Sequence, residues 1–119
     1  TQRDFTYIED VVEMTCGLLN ELHLRQVGFY DVVNIGGGSP KSINEIIEIC
    51  EQQFGKKLEI IYRKKHPGDV DQTYADYTYL ASLLNKWPKT TTEDGLGQFI
   101  SWSKLRQIAG SLQNWVKSV

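Results

Sequence analysis

The stretch Phe29–Gly55, FYDVVNIGGGSPKSINEIIEICEQQFG, decides the fold class. Phe29 to Ile35 is rich in β-branched and aromatic residues and predicts a strand, with Asp31 and Asn34 leaving it only partly buried. Gly36-Gly37-Gly38-Ser39-Pro40 ends it. Ser42-Ile43-Asn44-Glu45 is a capping box, in which a hydroxyl at the N-cap and a carboxylate three residues on satisfy each other's free backbone donors. The helix behind it places Ile43, Ile46, Ile47, Cys50 and Phe54 on one stripe, and Gly55 stops it in the left-handed conformation. Strand, glycine turn and capped helix in that order argue for an α/β protein. A phosphate loop would sit at the same place. The spacing is wrong for one: GxGxxG needs a glycine where Lys41 stands, and GxxxxGK[ST] has no match. The turn reads as a permissive strand-to-helix connection, with an anion nest as the other reading.

Upstream, Arg3 to Ile8 reads as a short extended entry to a helix. Glu9 and Asp10 suit its first turn, where negative charge favours the helix dipole. Ile8, Val12, Cys16, Leu19 and Leu22 fall at helical spacing and predict the buried face, with Val11 and Leu18 beside them. Gly17 inside the helix marks close packing. Downstream, Leu58 to Tyr62 predicts a second strand. Arg63 to Asp76, RKKHPGDVDQTYAD, then turns through Pro67-Gly68, with cations before the turn and Asp69 and Asp71 after it, the composition of a binding loop or of a solvated surface turn. Asp76 is a candidate N-cap for a helix through Leu80, Leu83 and Leu84, with Asn85 at its end. Thr91 or Thr92 caps a last helix whose Leu96, Phe99, Ile100 and Ser103 share one side. Its spacing continues through Leu105, Ile108, Leu112 and Trp115, with Gly110 as the expected kink or end. The expectation is a small α/β fold with few short strands and about four helices.

With 119 residues, 40% hydrophobic and 24% charged, the chain has the balance of one ordinary globular domain. A net charge of -2 provides no basic field for nucleic acid or an anionic membrane. No apolar run is long enough to span a bilayer. Cys16 and Cys50 read as buried free thiols in a reducing, cytoplasmic setting. No CxxC, HExxH or histidine cluster suggests a metal. No GxSxG serine is present. No YxxxK pairing is present either. By its chemistry the chain is a binder and not a catalyst. Arg63 to His66 could meet phosphate or be a solvated basic turn. Arg3 beside Asp4 could be an anion fork or a surface ion pair. Asp69 could accept from sugar hydroxyls or cap its turn.

Four stretches taken together, RDFTYIEDV (Arg3–Val11), VVNIGGGSP (Val32–Pro40), HPGDVDQTYAD (His66–Asp76) and WPKTTTEDGLGQFISW (Trp87–Trp102), resemble the C-terminal part of the NAD-dependent nucleotide-sugar epimerase/dehydratases, the extended short-chain dehydrogenase/reductases. The PGDVxxTYAD form is most similar to the UDP-glucuronate 4-epimerase group. The resemblance covers Arg3 to Trp102 and does not extend over residues 103–119. It implies a longer parent, and the chain opens on Thr1-Gln2 and not on Met. In that parent an N-terminal Rossmann half holds NAD and carries the catalytic YxxxK residues, and the C-terminal part closes over a UDP-sugar. This chain is then expected to be the nucleotide-sugar-binding portion, residues 1–119, with no catalytic residue and no cofactor of its own. The resemblance assigns Arg3 to the substrate diphosphate, which a planar guanidinium can bind bidentately. It assigns Asp69 to the nucleoside ribose and places His66 where some members carry a phosphate-binding arginine. Tyr74, Asp76 and Asn34 are structural on the same reading. Its expected partners are the UDP-sugar and the Rossmann half, with a homodimer of the parent a family expectation. A dehydratase or decarboxylase parent, or a free-standing interaction module, are the alternatives.

Overall fold

A computed structural model describes residues 1–63 and 66–108, the side chains of 106–108 excepted. The fold is α/β. In chain order it has β1 (Gln2–Arg3), α1 (Ile8–His23), β2 (Lys41–Ser42), α2 (Ile43–Phe54), α3 (Thr78–Leu84) and α4 (Thr92–Ile108). β1 and β2 pair antiparallel, Gln2 opposite Ser42 and Arg3 opposite Lys41. Gln2 also bridges Gln72 in parallel. This short sheet is the join of the molecule, because β1 lies between the start of α2 and the segment before α3.

The termini of α2 follow from the sequence. Glu45 N–H donates to Ser42 Oγ at 3.2 Å and Ser42 N–H donates to Glu45 Oε2 at 2.8 Å. Gly55 ends the helix at φ 68°. The Ser42 backbone N–H, and then its hydroxyl, hold the Glu45 carboxyl below its ordinary range. Since the folded value lies below the unfolded one, this contribution is present above the ordinary glutamate pKa of about 4.3 and is lost as pH falls through the depressed value. Ser42→Ala is expected to cost about 1 kcal/mol. Urea melts at pH 7 and pH 3 check it: the difference between variant and wild type should shrink at the lower pH.

The helices pack in two pairs, α1 with α3 and α2 with α4. Met14 of α1 and Leu80 of α3 are buried in the first pair, and Ile49 of α2 and Ile100 of α4 in the second. Gly17 is where α1 meets α3. A Cβ there would stand 3.0 Å from Leu84 Cδ1, so the expected close packing is present. α3 ends at Asn85 as expected, and Asn85 takes the left-handed conformation with φ 51°. It begins at Thr78, after Tyr77 in the cap position, and Asp76 Oδ1 accepts from Thr78 N–H at 2.8 Å. Asp76 therefore serves the helix start from one position earlier than a true N-cap. For α4, Thr91 Oγ1 accepts from Asp94 N–H at 3.1 Å, which selects Thr91 over Thr92 as the cap.

Several expectations are corrected. Phe29–Ile35 and Leu58–Tyr62 are not strands: among the described residues neither belongs to a ladder. A strand needs a neighbour to take its backbone N–H and C=O groups. Tyr30, Val32, Ile61 and Tyr62 lie exposed along these stretches. The predicted buried stripe of α1 is its open one, with Ile8 64%, Val12 53%, Leu19 59% and Leu22 50% exposed. The apolar residues of α1 spread over about half of its circumference, and the seven-residue α3 packs against the side that carries Met14 and Gly17. On α2 the most buried residue is Ile49, which lies outside the predicted stripe, whereas Ile43 and Phe54 are exposed. On α4 Ile100 is buried but Phe99 is exposed and leans on Trp102, their ring centroids 5.8 Å apart. The cysteines are free as expected, but Cys16 is exposed and Cys50 half-buried. Among the described residues no helix is long and apolar enough to cross a membrane and no cluster could hold a metal ion. Lys64, Lys65, Gly110, Leu112 and Trp115 lie outside the described residues.

Candidate nucleotide-sugar site

β1 brings the two ends of the sequence argument together. Gln2 N–H donates to the Asp71 carbonyl at 2.9 Å, and Thr73 N–H donates back to the Gln2 carbonyl at 3.2 Å. Asp4 N–H continues the ladder onto Thr73 Oγ1 at 3.0 Å. Arg3, half-buried between them, donates from Nη1 to the Gln2 carbonyl and from Nη2 to the Val70 carbonyl, each at 2.8 Å. A residue near the start of the chain is thereby fixed on the carbonyl of the residue that follows Asp69. A guanidinium has five N–H donors, so one held by two carbonyls still has donors to offer and little rotamer freedom to lose.

The loop itself is a tight turn. Asp69 N–H donates to the His66 carbonyl at 3.0 Å, and Gly68 N–H donates to His66 Nδ1 at 3.2 Å. Nδ1 is thus an acceptor, and a further contact by this ring falls to Nε2. Asp69 is exposed. The structure therefore places Arg3, His66 and Asp69 on one loop and its clamp. Beside the clamp, Asp4, Thr6, Asn34, Gly36, Thr73 and Tyr74 line a polar concavity of about 290 Å³. A wider groove of about 1040 Å³ lies elsewhere, between α1 and α4, lined by Tyr7, Ile8, Phe99, Trp102 and Leu105. It has the larger volume, but neither Arg3 nor the turn contributes to it, and its walls are mainly apolar.

Two aspartates do work that sequence reasoning missed. Asp4 is not a surface partner of Arg3. Its Oδ2 accepts from Gly38 N–H and from Ala75 N–H, each at 3.0 Å. Asp10 does more than complement the α1 dipole. Its Oδ2 accepts from the N–H groups of Lys89 and Thr90 at 3.1 and 2.8 Å, and its Oδ1 from Thr90 Oγ1 at 2.9 Å. Their partners stand 34 to 80 residues away in the chain, so no local pattern could reveal them. The same geometry decides the glycine turn. Gly38 donates its N–H to a carboxylate of this chain, and a Cβ on Gly38 would stand 2.7 Å from Tyr77 Cε1. A Cβ on Gly36 would stand 2.3 Å from Ala75 Cβ. The turn packs against Asp4, Ala75 and Tyr77 and leads into β2 and α2, with its Gly38 amide committed to Asp4 and not to an external anion. Tyr77 is itself stacked on Trp87 at 5.7 Å between centroids, and Lys89 lies over the far side of that indole at 4.4 Å.

No family model matches the chain. Individual relatives do. The chain is 43% identical over 103 residues to the UDP-glucuronate 4-epimerase of Thermodesulfobacterium geofontis, a match covering 86% of this chain and 30% of that protein. Its fold superposes on MoeE5 in complex with UDP-glucuronic acid and NAD with a TM-score of 0.77 at 32% identity, covering 88% of this chain and 34% of that one. It superposes on the UDP-glucuronic acid 4-epimerase from Bacillus cereus, in complex with UDP-glucuronic acid and NAD, with a TM-score of 0.69 at 36% identity, covering 80% and 29%. By sequence and by fold this chain is thus similar to a segment of the nucleotide-sugar epimerases. It spans about 30% of the length of the curated relatives it matches. Within that class it matches the UDP-glucuronate 4-epimerases by sequence and by fold.

Proposed function

We propose that this chain is the UDP-sugar-binding, C-terminal portion of a longer NAD-dependent epimerase, acting on UDP-glucuronate or a close relative of it. The observation that carries the reading is the Arg3 clamp. A cation held on the carbonyl next to Asp69 gives a diphosphate and a ribose adjoining points of attachment. Arg3 would take the diphosphate and Asp69 the ribose hydroxyls. His66 would contribute an N–H donor through Nε2, its Nδ1 being taken up by the Gly68 amide. NAD and the residues that carry out the chemistry would lie in the nucleotide-binding half.

That half is also the partner the open faces require. Ile8, Val12, Leu19 and Leu22 expose an apolar stripe on α1. The stretches Phe29–Ile35 and Leu58–Tyr62 have the composition of strands but no ladder partner among the described residues. An uncovered apolar helix face and two segments of strand composition without a ladder on one small domain argue for a packing partner of α/β architecture. Two free thiols are consistent with a reducing, cytoplasmic setting for the whole.

The test is product NMR on the full-length protein supplied with UDP-glucuronate and NAD. The expected product is the sugar inverted at C4. A 4-keto-6-deoxy or decarboxylated product would replace the epimerase reading with a dehydratase or decarboxylase on the same scaffold.

A further inference from the structure

We propose that Asp4 is a positioning residue of the nucleotide-sugar site, its carboxylate coupling the Gly36–Gly38 turn to the substrate loop and so setting where Arg3 stands. The inference rests on the UDP-sugar reading above. Asp4 and Arg3 are neighbours in an extended segment, where successive side chains point to opposite sides. Arg3 goes to the Val70 carbonyl, and Asp4 goes to the amides of Gly38 and Ala75. The loop is therefore held from both sides of one short segment. Val70 is tied through Arg3, Asp71 and Thr73 through Gln2, and Ala75 through Asp4.

Two features mark Asp4 as more than an ordinary tie. Its Oδ1 is buried and has no hydrogen-bond donor among the described residues. A buried acceptor without a donor costs stability. Features that cost stability and yet hold a site's geometry are characteristic of functional positions. The second feature is the fit of the glycine turn. A Cβ on Gly36 would come within 2.9 Å of Asp4 Oδ2 as well as striking Ala75, so the turn closes on the carboxylate only as glycine. Gly38 and the substrate loop thus share one acceptor atom. Displacing either must disturb the other, and by linkage a ligand that orders the loop also orders the turn.

The experiment uses the full-length protein and UDP as the probe. Asp4→Ala is expected to weaken UDP binding by about tenfold, the effect of losing a charge-assisted acceptor shared by two amides. Asp4→Asn retains one carbonyl oxygen for those amides and should bind within roughly threefold of wild type. In the unaltered protein, saturating UDP should slow hydrogen exchange at the Gly38 amide, a group that UDP does not touch. A merely structural role would leave that rate unmoved. UDP binding by Asp4→Ala within twofold of wild type, or a Gly38 amide indifferent to UDP, overturns the inference. Should Asp4→Ala fail to fold, the Gly38 measurement decides by itself. Should wild type bind no UDP, the UDP-sugar reading falls. Positioning is then judged from the Arg3 side-chain N–H resonance of Asp4→Asn and Asp4→Ala against wild type. A resonance progressively averaged toward the free-arginine position supports it, and an unchanged resonance overturns it.

Discussion

Arg3→Ala in the full-length protein is expected to weaken UDP-glucuronate binding by roughly 10- to 100-fold, the range for losing one or two charge-assisted hydrogen bonds to phosphate. The size of the effect follows from preorganisation. Arg3 is held by the Gln2 and Val70 carbonyls, so little side-chain entropy remains to be lost when the ligand arrives. Arg3→Lys should not restore affinity, because one ammonium cannot hold two carbonyls in a fixed fork and still meet a diphosphate bidentately. Titration calorimetry measures the loss. Exchange at the Ala75 amide shows whether the loop has kept its place, since that amide is held by Asp4 and not by Arg3. Affinity within twofold of wild type, with the loop intact, would confine Arg3 to shaping the loop.

Leu80→Ala is expected to be the most damaging core substitution, at roughly 3 to 5 kcal/mol. Leu80 is fully buried, on a helix of only seven residues. Such a helix has little stability of its own and is held by packing. Truncating its central anchor leaves a cavity facing α1 and loosens the segment that carries Ala75 and Tyr77 into the site. Because domains are typically stable by about 5 to 15 kcal/mol, the loss is a large share of the total. Urea denaturation of the protein and the variant gives the difference. Leu80→Met, which keeps the volume, should cost less than about 1.5 kcal/mol. A small effect of Leu80→Ala would mean that the α1–α3 seam collapses readily around the missing atoms.

The departures from expectation share a cause. α1 is apolar on more than one side, and periodicity ranked the Ile8–Leu22 stripe first because it is the most regular. Which side is buried depends on what packs against it, and here α3 packs against the side that carries Met14 and Gly17. The stretch Phe29–Ile35 has the residues of a strand and the backbone of none, since β structure is a property of pairs. Its composition is suited to a sheet that the described residues do not supply.

The sequence by itself determined whatever depends on neighbours along the chain. The Ser42–Glu45 box, the left-handed end at Gly55, the end of α3 at Asn85 and a threonine cap on α4 at Thr91 or Thr92 are each set within about four residues, the reach of a side chain bonding to its own backbone. The ordered motifs also carried the family and named Arg3, His66 and Asp69. Only the tertiary structure decided how these are brought together. It laid β1 against the loop, set Arg3 on the Val70 carbonyl, and gave Asp4 and Asp10 to backbone amides far along the chain. A carboxylate in sequence is a charge. Whether it becomes a surface ion, a helix cap or the tie between two loops depends on which unpaired amides folding brings within 3 Å or so of its oxygens.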